Sequence, residues 1–204
     1  TAQLTALISF AVALAEARGE IDEARRDEIH AAIQRLPSMI GRTLGLFDEI
    51  RPLAHSLTAA RSALYLGRDV LFPVALEGAL KLKELSYIHA EGFASGEMKH
   101  GPIALIEEGL PVVALLAADE VMGKAASNLQ EASARGGRII LITEERAASA
   151  VDFAETVITV PNVDPLLAPV LLTVPVQILA YLTAFEKGTD VDQPRNLAKS
   201  VTVE

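Results

Sequence analysis

Three stretches of this sequence hold residues whose types and spacing could do chemistry. In FPVALEGALKLKEL, residues 72–85, Glu77, Lys81 and Glu84 stand at i, i+4 and i+7, so one face of a helix would carry all three. A carboxylate one turn from a lysine can serve as a proton-transfer base in a cleft. The same spacing also suits a surface stripe in which Glu77 and Lys81 form an ordinary ion pair, worth about 0.3–0.5 kcal/mol. In EGFASGEMKHGP, residues 91–102, glycines and a proline surround Glu97, Lys99 and His100. That composition predicts a loop with an accessible imidazole, suited to acid–base work or merely exposed. In NLAKSVTVE, residues 196–204, Lys199 sits between the small side chains Ala198 and Ser200. A lysine amine can condense with a carbonyl carbon to give a Schiff base. A solvated terminal lysine fits these residues as well.

Other chemistries are disfavoured. There is no cysteine, which removes disulfides, thiolate catalysis and Cys-ligated metal. His30, His55 and His89 have no ligand-like spacing, so no metal site is expected. A formal charge of −9 argues against nucleic acid, because neutralising phosphates needs clustered Lys and Arg. The turn Gly67-Arg68-Asp69 lies where an α/β protein might cradle a phosphate at a helix N-terminus, yet it matches neither glycine-rich nucleotide-binding pattern. The apolar run Leu4–Ala15 is too short to span a bilayer and lacks a basic leader and a cleavage site. The expectation is a cytoplasmic protein away from membranes. Thr1 is preceded by no methionine, which fits a piece of a longer chain or simple methionine removal.

The elements that must position these residues follow from periodicity. Residues 1–60 read as helices: Leu4 to a stop at Gly19, Asp22–Arg35 closed by Pro37, and Ser38 to about Ala60, broken near Pro52. From residue 62 short strands alternate with helices. ALYL (63–66), PVVALLA (111–117), RIILIT (138–143) and TVITV (156–160) read as strands. Asp69 is expected to cap a helix with Pro73 in its first turn, running to about Ser86. Tyr87–Glu91 reads as mixed and the residues after it as loop. Helices are predicted over 119–135, closed by Gly136-Gly137, and over 164–187, with a bend expected where Pro169 and Pro175 remove backbone donors. This alternation predicts an α/β fold: a mainly parallel sheet flanked by helices in three layers, preceded by a helical segment. Ligands of such sheets sit beyond the carboxyl ends of the strands, here the loops after Leu66, Glu91, Ala117 and Thr143.

LEGALKLKELSYIHAEGFASGEMKHGP, together with GTDVDQPRNLAKSVTVE, resembles the C-terminal part of the glucosamine-6-phosphate synthase family. In that family the isomerising half consists of two sugar isomerase (SIS) subdomains, and the similarity covers the whole chain. The resemblance implies residues 1–60 as a helical segment, 61–187 as the second SIS subdomain and 188–204 as a tail folding over the sugar site. It implies Glu84 as the carboxylate moving a proton between C1 and C2. It implies His100 as the histidine of ring opening, reaching the neighbouring subunit's site, and Lys199 as the lysine forming a Schiff base at C2. Lys81 and Glu77 match residues lining that site, and Ala198 lies where the tail borders an ammonia path. The roles so implied require no metal or organic cofactor.

The partners implied are fructose 6-phosphate and glucosamine 6-phosphate, a first SIS subdomain, a glutaminase domain and a second copy in a homodimer. The family's phosphate-binding Ser/Thr loop and its N-terminal cysteine have no equivalent here, so the chain is expected to be incomplete for the full reaction. Two other readings stay open: a non-catalytic sugar-phosphate-binding SIS module, and a stand-alone aldose–ketose isomerase.

Overall fold

The computed structural model describes residues 1–197. Five parallel strands form one sheet in the order β2-β1-β3-β4-β5, with β1 at Ser62–Gly67, β2 at His89–Ala94, β3 at Pro111–Leu116, β4 at Arg138–Glu144 and β5 at Thr156–Val160. The central strands are apolar on both faces because helices cover both. Tyr65, Val113, Leu115, Ile140 and Ile142 face one core, while Leu64, Val112, Leu116 and Leu141 face the other.

The first core is closed by α3 (Phe47–Leu57), α4 (Phe72–Ser86) and α6 (Ala168–Lys187), and the second by α5 (Met122–Ser133). The segment Pro165–Lys187 is long and apolar enough to cross a membrane, but here its apolar side chains fill the first core. Ahead of the sheet lie α1 (Ala2–Ala17) and α2 (Glu23–Leu44). Helix α1 buries only Val12 and leaves Leu7 and Phe10 about two-thirds exposed, at 65% and 67%.

Several boundaries differ from the sequence reading. Pro37 does not close α2, which continues to Leu44 because Met39 and Ile40 pack against the first core and Thr43 is buried in its last turn; the break falls at Gly45. Asp69 does not cap α4: it takes a left-handed backbone (φ 51°), and the helix starts after Leu71 without a side-chain cap. The stretch beginning at His89 is a strand, not a mixed segment leading into loop. Polar residues and Gly92 hid this edge strand, yet Gly92 is what lets α4 cross it: a Cβ there would lie 2.9 Å from the Leu76 backbone.

The shortest ion pair from the leading helices to the sheet layer runs from α2. Arg25 of α2 donates two hydrogen bonds to Asp164, at 2.7 and 3.1 Å, just before α6. Burial pushes the Asp164 carboxyl up, but bonds from Arg25 and the Leu166 N–H outweigh it and hold the group below the usual carboxylate range.

Candidate active site

Each strand's following helix runs back toward the sheet's amino edge, and this decides where the three candidate stretches end up. Helix α4 leaves the carboxyl end of β1 and returns the chain to the start of β2. Its last turns, with Lys81 and Glu84, therefore sit at the amino edge of the sheet. His100 follows the carboxyl end of β2, at the opposite edge. Six strand residues separate the two edges, roughly 20 Å at 3.3 Å per residue. His100 stands beyond the carboxyl end of a strand, where the sequence reading placed ligands of such sheets, and Glu84 does not.

The stripe on α4 divides differently from the i, i+4 pairing. Lys81 Nζ donates to Glu84 Oε2 at 2.6 Å, so the ion pair joins those two and not Glu77 with Lys81. Both side chains are about a quarter to a third exposed, at 25% and 32%, which leaves them open to a ligand. Glu77 turns to α6, where Gln177 Nε2 donates to its Oε1 at 3.3 Å. Glu77 and Gln177 line a groove of about 570 Å³ that α1 closes with Leu4 and Ile8. The stripe is thus two sites, a Lys81–Glu84 pair and a Glu77–Gln177 contact.

Residues Ser95–His100 form a 3-10 turn in which Met98 is buried and His100 exposed. Lys99 is held on the rim by Glu131 of α5 at 2.7 Å. Gly101 ends the turn at φ 149°, a conformation that disfavours any side chain. The loop prediction holds from Ser95 on, and the imidazole is accessible as expected.

Lys199 and Ala198 lie outside the described residues. The residues leading to them are well placed. Gly188 ends α6 in the left-handed conformation, and Thr189 Oγ1 donates to the carbonyls of Ala184 and Leu85, at 3.0 and 2.7 Å. The second bond pins the start of the tail to the end of α4. Asp190 then accepts from the N–H groups of Asp192 and Gln193. Finally the Arg195 N–H donates to Tyr87 Oη at 2.9 Å, and its guanidinium sits 4.0 Å from the Tyr87 ring centroid.

Tyr87 and Arg195 were not singled out in the sequence. The available signal was weak: Tyr87 follows Ser86, where α4 stops, in a position helices usually give to glycine. Tyr87 holds that C-cap at φ 60°, ψ 18°, which costs an aromatic residue about 1–2 kcal/mol.

The fold is thus a parallel sheet wrapped by helices, with an ion-paired carboxylate on the helix to which residues 189–195 are tied. Residues 56–187 match the SIS domain, and the chain belongs to that family. It is 52% identical over 206 aligned positions to the glutamine–fructose-6-phosphate aminotransferase (isomerizing) of Brucella abortus, with the whole chain covered and 34% of that protein. The namesake from Gluconobacter oxydans is 51% identical over 205 positions, with the same coverage. The C-terminal domain of glucosamine-fructose-6-phosphate aminotransferase from Francisella tularensis superposes with a TM-score of 0.86 at 38% identity, over 90% of this chain and 52% of that one. The chain spans about a third of the length of the curated relatives it matches. The similarity read from the α4 and tail motifs is confirmed, as is the three-layer α/β fold.

Proposed function

We propose that this chain is the C-terminal isomerase portion of an enzyme that makes glucosamine 6-phosphate from fructose 6-phosphate and glutamine-derived ammonia. One observation carries the reading. The whole chain matches the C-terminal third of such enzymes, and it retains Glu84 paired with Lys81 on the helix to which the tail is tied. In this reading residues 1–60 are a helical segment, 61–187 a second SIS subdomain, and 188–204 the tail of the sugar site.

The chemistry follows from the residue types. His100 protonates the ring oxygen as fructose 6-phosphate opens to its ketone. The Lys199 amine condenses with C2, releasing water, and ammonia displaces the lysine to leave an imine. Glu84 takes a proton from C1 as the imine nitrogen gains one, giving a 1-hydroxy enamine; it then returns a proton to C2 as the O1 hydroxyl loses its own, leaving an aldehyde at C1 and an amine at C2. Lys81 balances the charge of the Glu84 carboxylate before it takes the C1 proton and again after it delivers one to C2. Glu77 and Ala198 line the site with lesser roles.

His100 and Glu84 of one copy lie at opposite edges of the sheet, so a site using both draws His100 from a second copy, and a homodimer is part of the proposal. The apolar face of α1, open at Leu7, Phe10 and Leu14, supports association. The first SIS subdomain and the glutaminase domain are the other partners, and the cytoplasm is the proposed compartment.

The test is a chimera in which this chain replaces the matching third of the Brucella abortus relative. It is expected to form glucosamine 6-phosphate, and Glu84→Gln to slow it about 10²–10⁴-fold. A folded chimera that hydrolyses glutamine yet forms no amino sugar overturns the reading.

A further inference from the structure

We infer that Glu131 is a positioning residue: from α5 it holds Lys99 and so sets the direction in which the 95–101 turn presents His100. The inference rests on the proposed role of His100 in a second copy's site and adds the device that would aim it. Two observations carry it. Lys99, the neighbour of His100, places its Nζ 2.7 Å from a Glu131 carboxylate oxygen. The same face of α5 supports a second hold on the turn. Asn128, three residues before Glu131, accepts a hydrogen bond at 3.2 Å from Arg68, which follows β1. The Arg68 guanidinium lies against Gly96, where a Cβ would stand only 2.8 Å from Nη1. The turn is thus held at Gly96 and at Lys99, with Met98 buried in the second core between them. His100 is the first residue past the last hold, and it is exposed.

Electrostatics makes Glu131 the deciding member. Arg68, Lys99, Lys124, Asn128 and Glu131 line one groove of about 360 Å³, in which Glu131 is the one carboxylate among the described residues, against three cations. Without it, Lys99 would stand near Arg68 and Lys124 with no counter-charge, and repulsion would turn its side chain out of the groove. Lys99 and Glu131 are both partly exposed, at 53% and 29%, so the pair adds little to stability. Its effect is on direction: a shift of about 1 Å at a reacting group can cost about 10²-fold in rate.

The experiment uses the chimera with the Brucella abortus relative and reads amino-sugar synthesis, with glutamine hydrolysis as the sign that each variant is folded. Glu84→Gln and His100→Ala chimeras, mixed and allowed to exchange subunits, form a hybrid in which one site takes Glu84 from one copy and His100 from the other. Glu131→Ala is then added to one copy at a time. In the copy that supplies His100 it is expected to cut the recovered rate about tenfold. In the copy that supplies Glu84, whose own histidine is already gone, it is expected to change nothing. Exchanging the charges in the His100 copy, with Lys99→Glu and Glu131→Lys together, should restore most of the loss. A general weakening of the fold would act from either copy and would not be rescued. Equal effects from the two placements, or a charge exchange no better than Glu131→Ala, overturns the inference. Failure of the underlying reading looks different: the mixture then recovers no activity even with Glu131 intact in both copies, and the inference falls with it.

Discussion

Helix α4 and the 95–101 turn each present a reactive side chain, and they hold it by opposite means. Lys81 and Glu84 ride on a helix packed against β1, β2 and α6, and the tail is tied to that helix at Leu85 and Tyr87. The turn buries Met98 and is pinned through Lys99, but leaves His100 outside. The difference teaches that α4 fixes its side chains against the body of the fold, whereas the turn presents its histidine outward. Residues on rigid elements can be placed to a fraction of an ångström, which a proton-transferring carboxylate requires. In the proposed function a second copy supplies His100, and a histidine used that way needs exposure first and precision only on assembly.

The largest effect that could break this contrast comes from mixing variants of the chimera. Glu84→Gln and His100→Ala homodimers are each expected to lose about 10²–10⁴-fold in rate. Mixed in equal amounts and allowed to exchange subunits, they should regain about a quarter of the unmutated rate. Half the dimers are then hybrids, and one site of the two in each hybrid is intact. No recovery despite subunit exchange would place both residues in one copy's site and dissolve the contrast.

Two glycines sharpen it at the level of stability. Gly92→Ala pushes a methyl into the Leu76 backbone and should cost about 2–3 kcal/mol in chemical denaturation. Gly101→Ala meets no neighbour within 4 Å and should cost only its backbone strain, about 1–2 kcal/mol. Equal costs would mean the turn is packed as tightly as the helix.

The smallest effect is a control away from both regions. Asp164 has a depressed carboxyl pKa when folded, so its pairing with Arg25 contributes stability above the unfolded value near pH 4 and loses it as pH falls through the folded one. With Arg25 41% exposed, the contribution is about 1 kcal/mol. Asp164→Asn should flatten the acid limb of the stability curve below pH 4 and leave amino-sugar synthesis unchanged. A shift confined to neutral pH would contradict the assignment.

Much of the molecule was legible in the chain. Four strands announced themselves because central strands of a parallel sheet are buried on both faces and read as apolar runs, as in PVVALL and RIILIT. The edge strand His89–Ala94 did not, since an edge tolerates polar residues and Gly92 serves the helix above it. Pro37 read as a stop, but a proline costs one backbone hydrogen bond and the buried face of α2 outweighs it. The spacing on α4 put Glu77, Lys81 and Glu84 on one face, and spacing cannot say which pair closes. Gln177, 100 positions away from Glu77, took Glu77 and left Lys81 to Glu84.

By itself, then, the sequence determined the alternation of elements, the residues able to move protons or form an imine, and the SIS family. Those are properties of side-chain type and short-range period. The tertiary structure alone decided that Glu84 and His100 stand at opposite edges of one sheet and that Tyr87 takes a left-handed turn to meet Arg195. Both depend on contacts between residues far apart in the chain, which no local pattern encodes.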